Sequence, residues 1–194
     1  MYAAQKFDFG QLEGISEKQL DVHLKLYEGY VKFLNALQDS QKDLMRDSEK
    51  NAYALSEVTR RIGFEFNGMR MHEYYFAQWT GPSTELGMDS ALGKALSTQY
   101  GSMEVWEAEF KAVSMMRGIG WTILSYDPPT KTFLNHFVAD HELGQLNGTA
   151  TILALDLWEH AYMVDYLPAD KKKYVEAFFK NLNGNLAETR FQKV

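Results

Sequence analysis

Apolar residues recur at steps of three and four near the start of the chain. Leu20, His23, Leu24, Tyr27, Tyr30, Val31 and Leu34 fall on one stripe of a helix, with His23 on the buried face. Just before it, Ser16 stands as a candidate N-cap with Gln19 three residues on, the spacing of a reciprocal capping box, and Ile15 with Leu20 forms a hydrophobic staple. A second helical pattern runs from about residue 48 to 79 through Phe64, Met69, Met71, His72, Tyr75 and Phe76, and Thr80-Gly81-Pro82 stops it. Two long helices with a short connection predict an antiparallel hairpin. Residues 81–90 are rich in Gly, Pro and Ser, so the expected organisation is an N-terminal helical hairpin domain over 1–83 and a C-terminal α/β domain over 84–194.

In the second half, 102–117 reads as an amphipathic helix carrying Val105, Trp106, Phe110 and Val113, with Gly118 at a left-handed C-cap. The period then shortens to that of strands. Residues 121–126 and 132–139 flank Asp127-Pro128-Pro129-Thr130-Lys131 as a hairpin, 149–155 is a third β-rich run, and 171–181 closes the pattern as a helix. The fold class expected is α+β: an antiparallel helical hairpin followed by an α/β region whose three-stranded antiparallel sheet is flanked by helices.

Composition narrows the chemistry. The 194 residues include five histidines and no cysteine, which excludes disulfides, thiolate metal sites and cysteine nucleophiles. A formal net charge of −6 argues against a nucleic-acid partner, whose phosphates would need neutralising. No window approaches about 18 uninterrupted apolar residues and the first residues do not resemble a signal peptide, so no membrane association is expected and a cytoplasmic protein is.

The sharpest local feature is Asp156-Leu157-Trp158-Glu159-His160-Ala161-Tyr162, directly after the third strand. On a helical turn Asp156 and His160, four apart, would share a face and could converge on one cation; the same spacing also makes a local ion pair. His23 and His72, each mid-helix on an apolar face, read singly as core histidines with satisfied hydrogen bonds. Together the four offer three imidazoles and one carboxylate, a set suited to iron, manganese or zinc. Other motifs fail: His72-Glu73 lacks the second histidine of a zincin, no Glu-x-x-His occurs, and Gly118-Ile119-Gly120 lacks the third glycine of a dinucleotide turn.

The run 156–162 resembles the Asp-x-Trp-Glu-His-Ala-Tyr signature of the iron/manganese superoxide dismutases. The likeness extends through Tyr30-Val31 and Leu34-Asn35 after His23, His72 before an aromatic run, Gly118, Gly120-Trp121-Thr122, and Arg190-Phe191. It implies that His23, His72, Asp156 and His160 bind one Mn or Fe ion per subunit, which alternates between +3 and +2 while converting superoxide to O2 and H2O2. It also implies that Tyr30 is the gateway tyrosine and that Trp121 and Trp158 wall the metal pocket. His141 would hydrogen-bond the metal's solvent, a task that falls to it because the alternative position, four residues before His72, is Gly68. Glu159 would meet His160 of another subunit in a homodimer or higher homo-oligomer. Manganese and iron remain alternatives.

Three departures bear on that picture. The interval from His23 to Tyr30 is one residue shorter than the family pattern. Leu26 and Met163 replace a polar pair at the subunit interface, a double change that leaves no orphaned partner. Asn183-Gly184-Asn185 stands where an aromatic is common. The alternatives are a dismutase-like metal-binding protein with weak or lost activity and another mononuclear iron enzyme; His136 is left without a role.

Overall fold

The computed structural model describes residues 1–194. Helices α1 (Glu17–Leu44) and α2 (Ala52–Ala77) form the antiparallel hairpin, joined by a 3-10 turn at Met45–Asp47. Leu20, His23, Tyr27, Val31 and Leu34 of the expected stripe are buried against α2, while Leu24 and Tyr30 are half-buried. Each fully buried aliphatic side chain of this kind contributes about 1.5–3 kcal/mol. The helix runs without interruption through the shortened His23–Tyr30 interval.

Ser16 caps α1, accepting from the Gln19 amide at 3.0 Å. The reciprocal half of the capping box does not form. Gln19 instead donates from Nε2 to the His160 carbonyl at 2.7 Å and accepts from the Val164 amide at 3.0 Å, and the Ser16 amide donates to Asp165 at 2.7 Å. The start of α1 is thus fastened to the segment that follows the last strand.

Next come α3 (Ala91–Tyr100) and α4 (Met103–Ser114), capped by Ser90 and Ser102. The turn-rich stretch before Ser90 hides α3 from a pattern reading, because only Leu92, Gly93 and Leu96 of its ten residues are buried. Helix α4 ends three residues earlier than expected. Val105 lies on its exposed side, and Gly118 (φ +127°) belongs to the turn into the sheet.

The sheet comprises β1 (Gly120–Asp127), β2 (Thr132–Ala139) and β3 (Ala150–Asp156), antiparallel in the order β2-β1-β3. Its register sets Trp121 opposite both Val138 and Asp156. Helices α5 (Lys171–Lys180) and α6 (Gly184–Phe191) close the fold. Gly184 is required here, since a Cβ would lie 2.5 Å from the Glu85 carbonyl oxygen.

Two side chains fix the hairpin to the sheet. Gln78 mimics a strand, donating to the Ala154 carbonyl at 2.7 Å and accepting from its amide at 2.8 Å. Arg190, whose burial lowers it to about 10, donates to the carbonyls of Ile152 and Tyr74 at 2.9 Å each. No helix is long and apolar enough to cross a membrane.

Candidate metal centre

Four elements deliver one side chain each to a common point: His23 from α1, His72 from α2, Asp156 from the last position of β3, and His160 from a 3-10 turn at Glu159–Ala161. Asp156 and His160 do not share an α-helical face. The chain leaves the strand extended at Trp158, whose amide donates to Asp156 Oδ1 at 2.8 Å, and only then turns to bring His160 back. The potential ligand atoms of all four residues lie within 4.8 Å of one another.

Asp156 Oδ2 is the hub. It stands 3.1 Å from the Nε2 of His23, 3.4 Å from that of His72 and 3.3 Å from that of His160. His72 donates from Nδ1 to the Gly68 carbonyl at 2.6 Å, so its Nε2 carries the lone pair. The Nε2 atoms of His72 and His160 are buried without a hydrogen-bond partner. Unpaired buried groups of this kind cost about 1–3 kcal/mol each. A cation among them removes that cost, and an N3O donor set suits iron or manganese.

The electrostatics favour the protonation state such an ion needs. Burial would raise the Asp156 carboxyl, yet His160 and His23 outweigh it and hold the group well below the usual carboxylate range. Burial drives His72 well below the ordinary imidazole value against the pull of Asp156, and lowers His23 in the same way. A carboxylate beside the neutral imidazoles of His23 and His72 is a form that binds a metal without those groups first releasing protons.

Beside the cluster runs a chain of hydrogen bonds. Trp121 Nε1 donates to His141 Nδ1 at 2.9 Å, and His141 Nε2 lies 2.8 Å from the Tyr30 hydroxyl. Indole can only donate, so Nδ1 is the bare nitrogen of this ring and Nε2–H donates to Tyr30. Burial keeps His141 neutral, pushed down to about 4. Burial also raises Tyr30 above the usual phenol range, with Asp156 and Glu65 adding to the effect and Arg61 opposing it. The ring of Trp158 stacks on His160 (5.7 Å) and on His141 (4.9 Å), and Trp121 meets His72 edge-on at 5.1 Å.

The remaining residues singled out in the sequence fall into place around this centre or away from it. Gly68 makes room for Tyr30, since a Cβ there would lie 2.5 Å from its ring. Glu159 is exposed and points to no ligand within the chain, and the sole polar contact of the His160 ring is Asp156. His136 is remote, bridging Ser125 Oγ (2.9 Å) and the Gly144 carbonyl (3.1 Å) as a brace for the sheet. Pattern reading missed Gln19 and Tyr174, which hold the His160 and Asp156 backbones through single hydrogen bonds of 2.7 and 2.8 Å. It also missed Arg61, Phe64 and Glu65, which with Tyr30, Leu26 and Trp158 line a cavity of about 270 Å³ at the edge of the centre.

Comparison with known proteins points the same way as this geometry. A profile for iron/manganese superoxide dismutases, C-terminal domain, matches residues 88–190. Over 184 residues the chain is 35% identical to a superoxide dismutase [Fe] of Cupriavidus metallidurans, covering 93% of this chain and 90% of that protein. It is 34% identical to superoxide dismutase [Mn] 1 of Halobacterium salinarum, covering 96% and 92%, and 31% identical to a superoxide dismutase [Fe] of Aquifex pyrophilus, covering 94% and 86%. Similarity at this level over nearly the full length, joined to a buried His3Asp cluster where the signature falls, has one reading: the chain belongs to the iron/manganese superoxide dismutase family.

Proposed function

We propose that the protein disproportionates superoxide, two superoxide anions and two protons giving O2 and H2O2, with one iron or manganese ion held by His23, His72, Asp156 and His160. When bound, the ion supplies a centre that alternates between +3 and +2. The observation that carries this reading is the convergence of three Nε2 atoms on Asp156 Oδ2, two of them buried without any hydrogen-bond partner.

The protein's own residues do the rest. One carboxylate against a multivalent cation leaves the pocket net positive toward an anionic substrate. His141 donates to the Tyr30 oxygen, so the phenolic hydrogen of Tyr30 is free to donate elsewhere. Because burial disfavours the phenolate, Tyr30 keeps that proton at its hydroxyl and orients the water through which peroxide acquires its hydrogens. Trp121 and Trp158 close two sides of the pocket to bulk water.

For assembly, the reading is a homodimer in which the exposed Glu159 accepts from the His160 ring of a second copy. The support is that this ring has no other polar partner in its own chain besides Asp156. Metal analysis together with superoxide consumption, on wild type and on His160→Ala, tests the function: wild type binds metal and consumes superoxide, and the variant loses both. A metal-loaded wild type without activity would overturn it and favour a metal-binding relative that has lost turnover. Loading with each metal separately identifies the working ion.

A further inference from the structure

We propose that Arg61 is the residue that gathers the anionic substrate at the mouth of the centre, and that Glu65 restrains it. This rests on the dismutase reading. Arg61 and Glu65 line the same cavity of about 270 Å³ as Tyr30 and Trp158, the two side chains that border the metal cluster on that side. Phe64 bridges the guanidinium to the site: Arg61 lies 3.8 Å over its ring, which packs 4.7 Å from His141 and 6.3 Å from Tyr30.

The hydrogen-bond geometry leaves Arg61 underused. Its Nε and Nη2 both reach Glu65 Oε1 at 2.9 Å, so one carboxylate oxygen takes both contacts and the Nη1 edge has no protein partner. Glu65 Oε2 is buried without a partner. The pair is therefore unlike a surface bridge that satisfies both members: the acid is 7% exposed and the base 44%. A planar, always-charged guanidinium, its central carbon 3.8 Å over an aromatic ring and with free N–H groups, is suited to a small oxyanion. The protein as a whole carries a net charge of −6, so local positive charge is what can draw superoxide inward. The neighbouring Arg60 is engaged differently, paired in the open with Glu57 at 2.6 Å.

The decisive comparison is Glu65→Gln against the double variant Arg61→Gln/Glu65→Gln, because the two differ only at position 61 and neither leaves a buried carboxylate unpaired. Relative to wild type, Glu65→Gln should raise kcat/KM and tighten azide binding at the metal, followed by visible absorption. Relative to Glu65→Gln, the double variant should lose about tenfold in kcat/KM at low salt. Its azide affinity should fall several-fold and its kcat/KM should decline less steeply with ionic strength, since the metal's own charge remains. Arg61→Lys, which keeps the charge but not the planar fork, should retain the salt dependence and only part of the azide affinity, and Arg60→Gln should leave all three quantities unchanged. A second arm needs no variant. In wild type, phenylglyoxal should modify Arg61, azide should slow that modification, and activity should fall in step with it. The proposal is overturned if the double variant keeps the salt dependence and azide affinity of Glu65→Gln, or, should that variant not fold, if Arg61 is modified without loss of activity. An inactive metal-loaded wild type would instead sink the dismutase reading, a separate outcome.

Discussion

The Nδ1 of His141 receives the Trp121 indole hydrogen at 2.9 Å, which leaves its other ring nitrogen as the donor to Tyr30. A tryptophan thus sets the direction of a hydrogen bond one residue further on. Trp121→Phe removes the only group that forces Nδ1 bare, so His141 becomes free to accept from Tyr30 and the phenolic hydrogen turns away from the pocket. Metal content should be retained while turnover falls about 10- to 100-fold, the usual cost of losing a group that orients the groups around a metal. Steady-state kinetics beside metal analysis checks this, and unimpaired turnover in a fully loaded variant would show that the tautomer is irrelevant.

Burial sets a pH window for stability. In the unfolded chain His141 titrates near 6.5, and in the folded protein it is pushed down to about 4. Between those values the unfolded state binds a proton that the folded state does not, so stability falls as the pH drops from about 6.5 to 4 and is unaffected by this group above that window. The loss should be on the order of 3 kcal/mol by pH 4. His23 and His72, lowered for the same reason, push in the same direction. Denaturant unfolding at pH 7 and pH 4.5 should show a smaller acid loss in His141→Gln than in wild type; equal losses would mean that His141 does not titrate in this way.

Gly68 and Tyr30 compete for one volume. With a Cβ at position 68 only 2.5 and 2.6 Å from two atoms of the Tyr30 ring, Gly68→Ala must move that ring or the helix that carries it. Overpacking of this kind costs about 1–3 kcal/mol. The variant should melt at lower temperature and lose activity through a displaced Tyr30, and Gly68→Ala should cost much less in a Tyr30→Ala background than in wild type. An equal cost in the two backgrounds would place the strain elsewhere.

Much of this was legible in the sequence because it rests on periodicity and local chemistry. The α1 stripe, the Ser16 cap and the three strands follow from spacing and turn residues, whereas the four clustered residues were legible as a set only through the resemblance of 156–162 and its surroundings to the dismutase signature, since His23 and His72 read singly as core histidines. What stayed hidden depends on partners distant in the chain. Gln19 has the spacing of a capping box but meets His160 and Val164, more than 140 residues on, which engage both ends of its amide. Asp156 and His160 converge through an extended residue and a 3-10 turn, a path that i,i+4 spacing does not suggest. Arg61 and Glu65 look like an exposed helical pair, and only the tertiary fold places them beside Tyr30. Helix α3 is short and half-buried, so its pattern is too weak to stand out from the turn before it.

Asp156 is the only anion among the four converging residues, and its two oxygens have separate duties: Oδ1 holds the Trp158 amide and Oδ2 faces the three imidazoles. Asp156→Asn can keep the first duty, since an amide oxygen still accepts from Trp158, but it turns an N–H group toward the imidazoles and removes the negative charge. Metal affinity should therefore fall by about 100-fold or more while the secondary structure is preserved. Wild type should gain stability from added iron or manganese, about 4 kcal/mol at a free metal concentration 1,000 times Kd, and chelation should reverse the gain. At that same metal concentration the variant, its affinity 100-fold lower, should gain no more than about 1.4 kcal/mol. Calorimetry of both proteins with and without each metal decides the matter, and a metal-dependent rise in the variant equal to that of wild type would show that Asp156 is not what holds the ion.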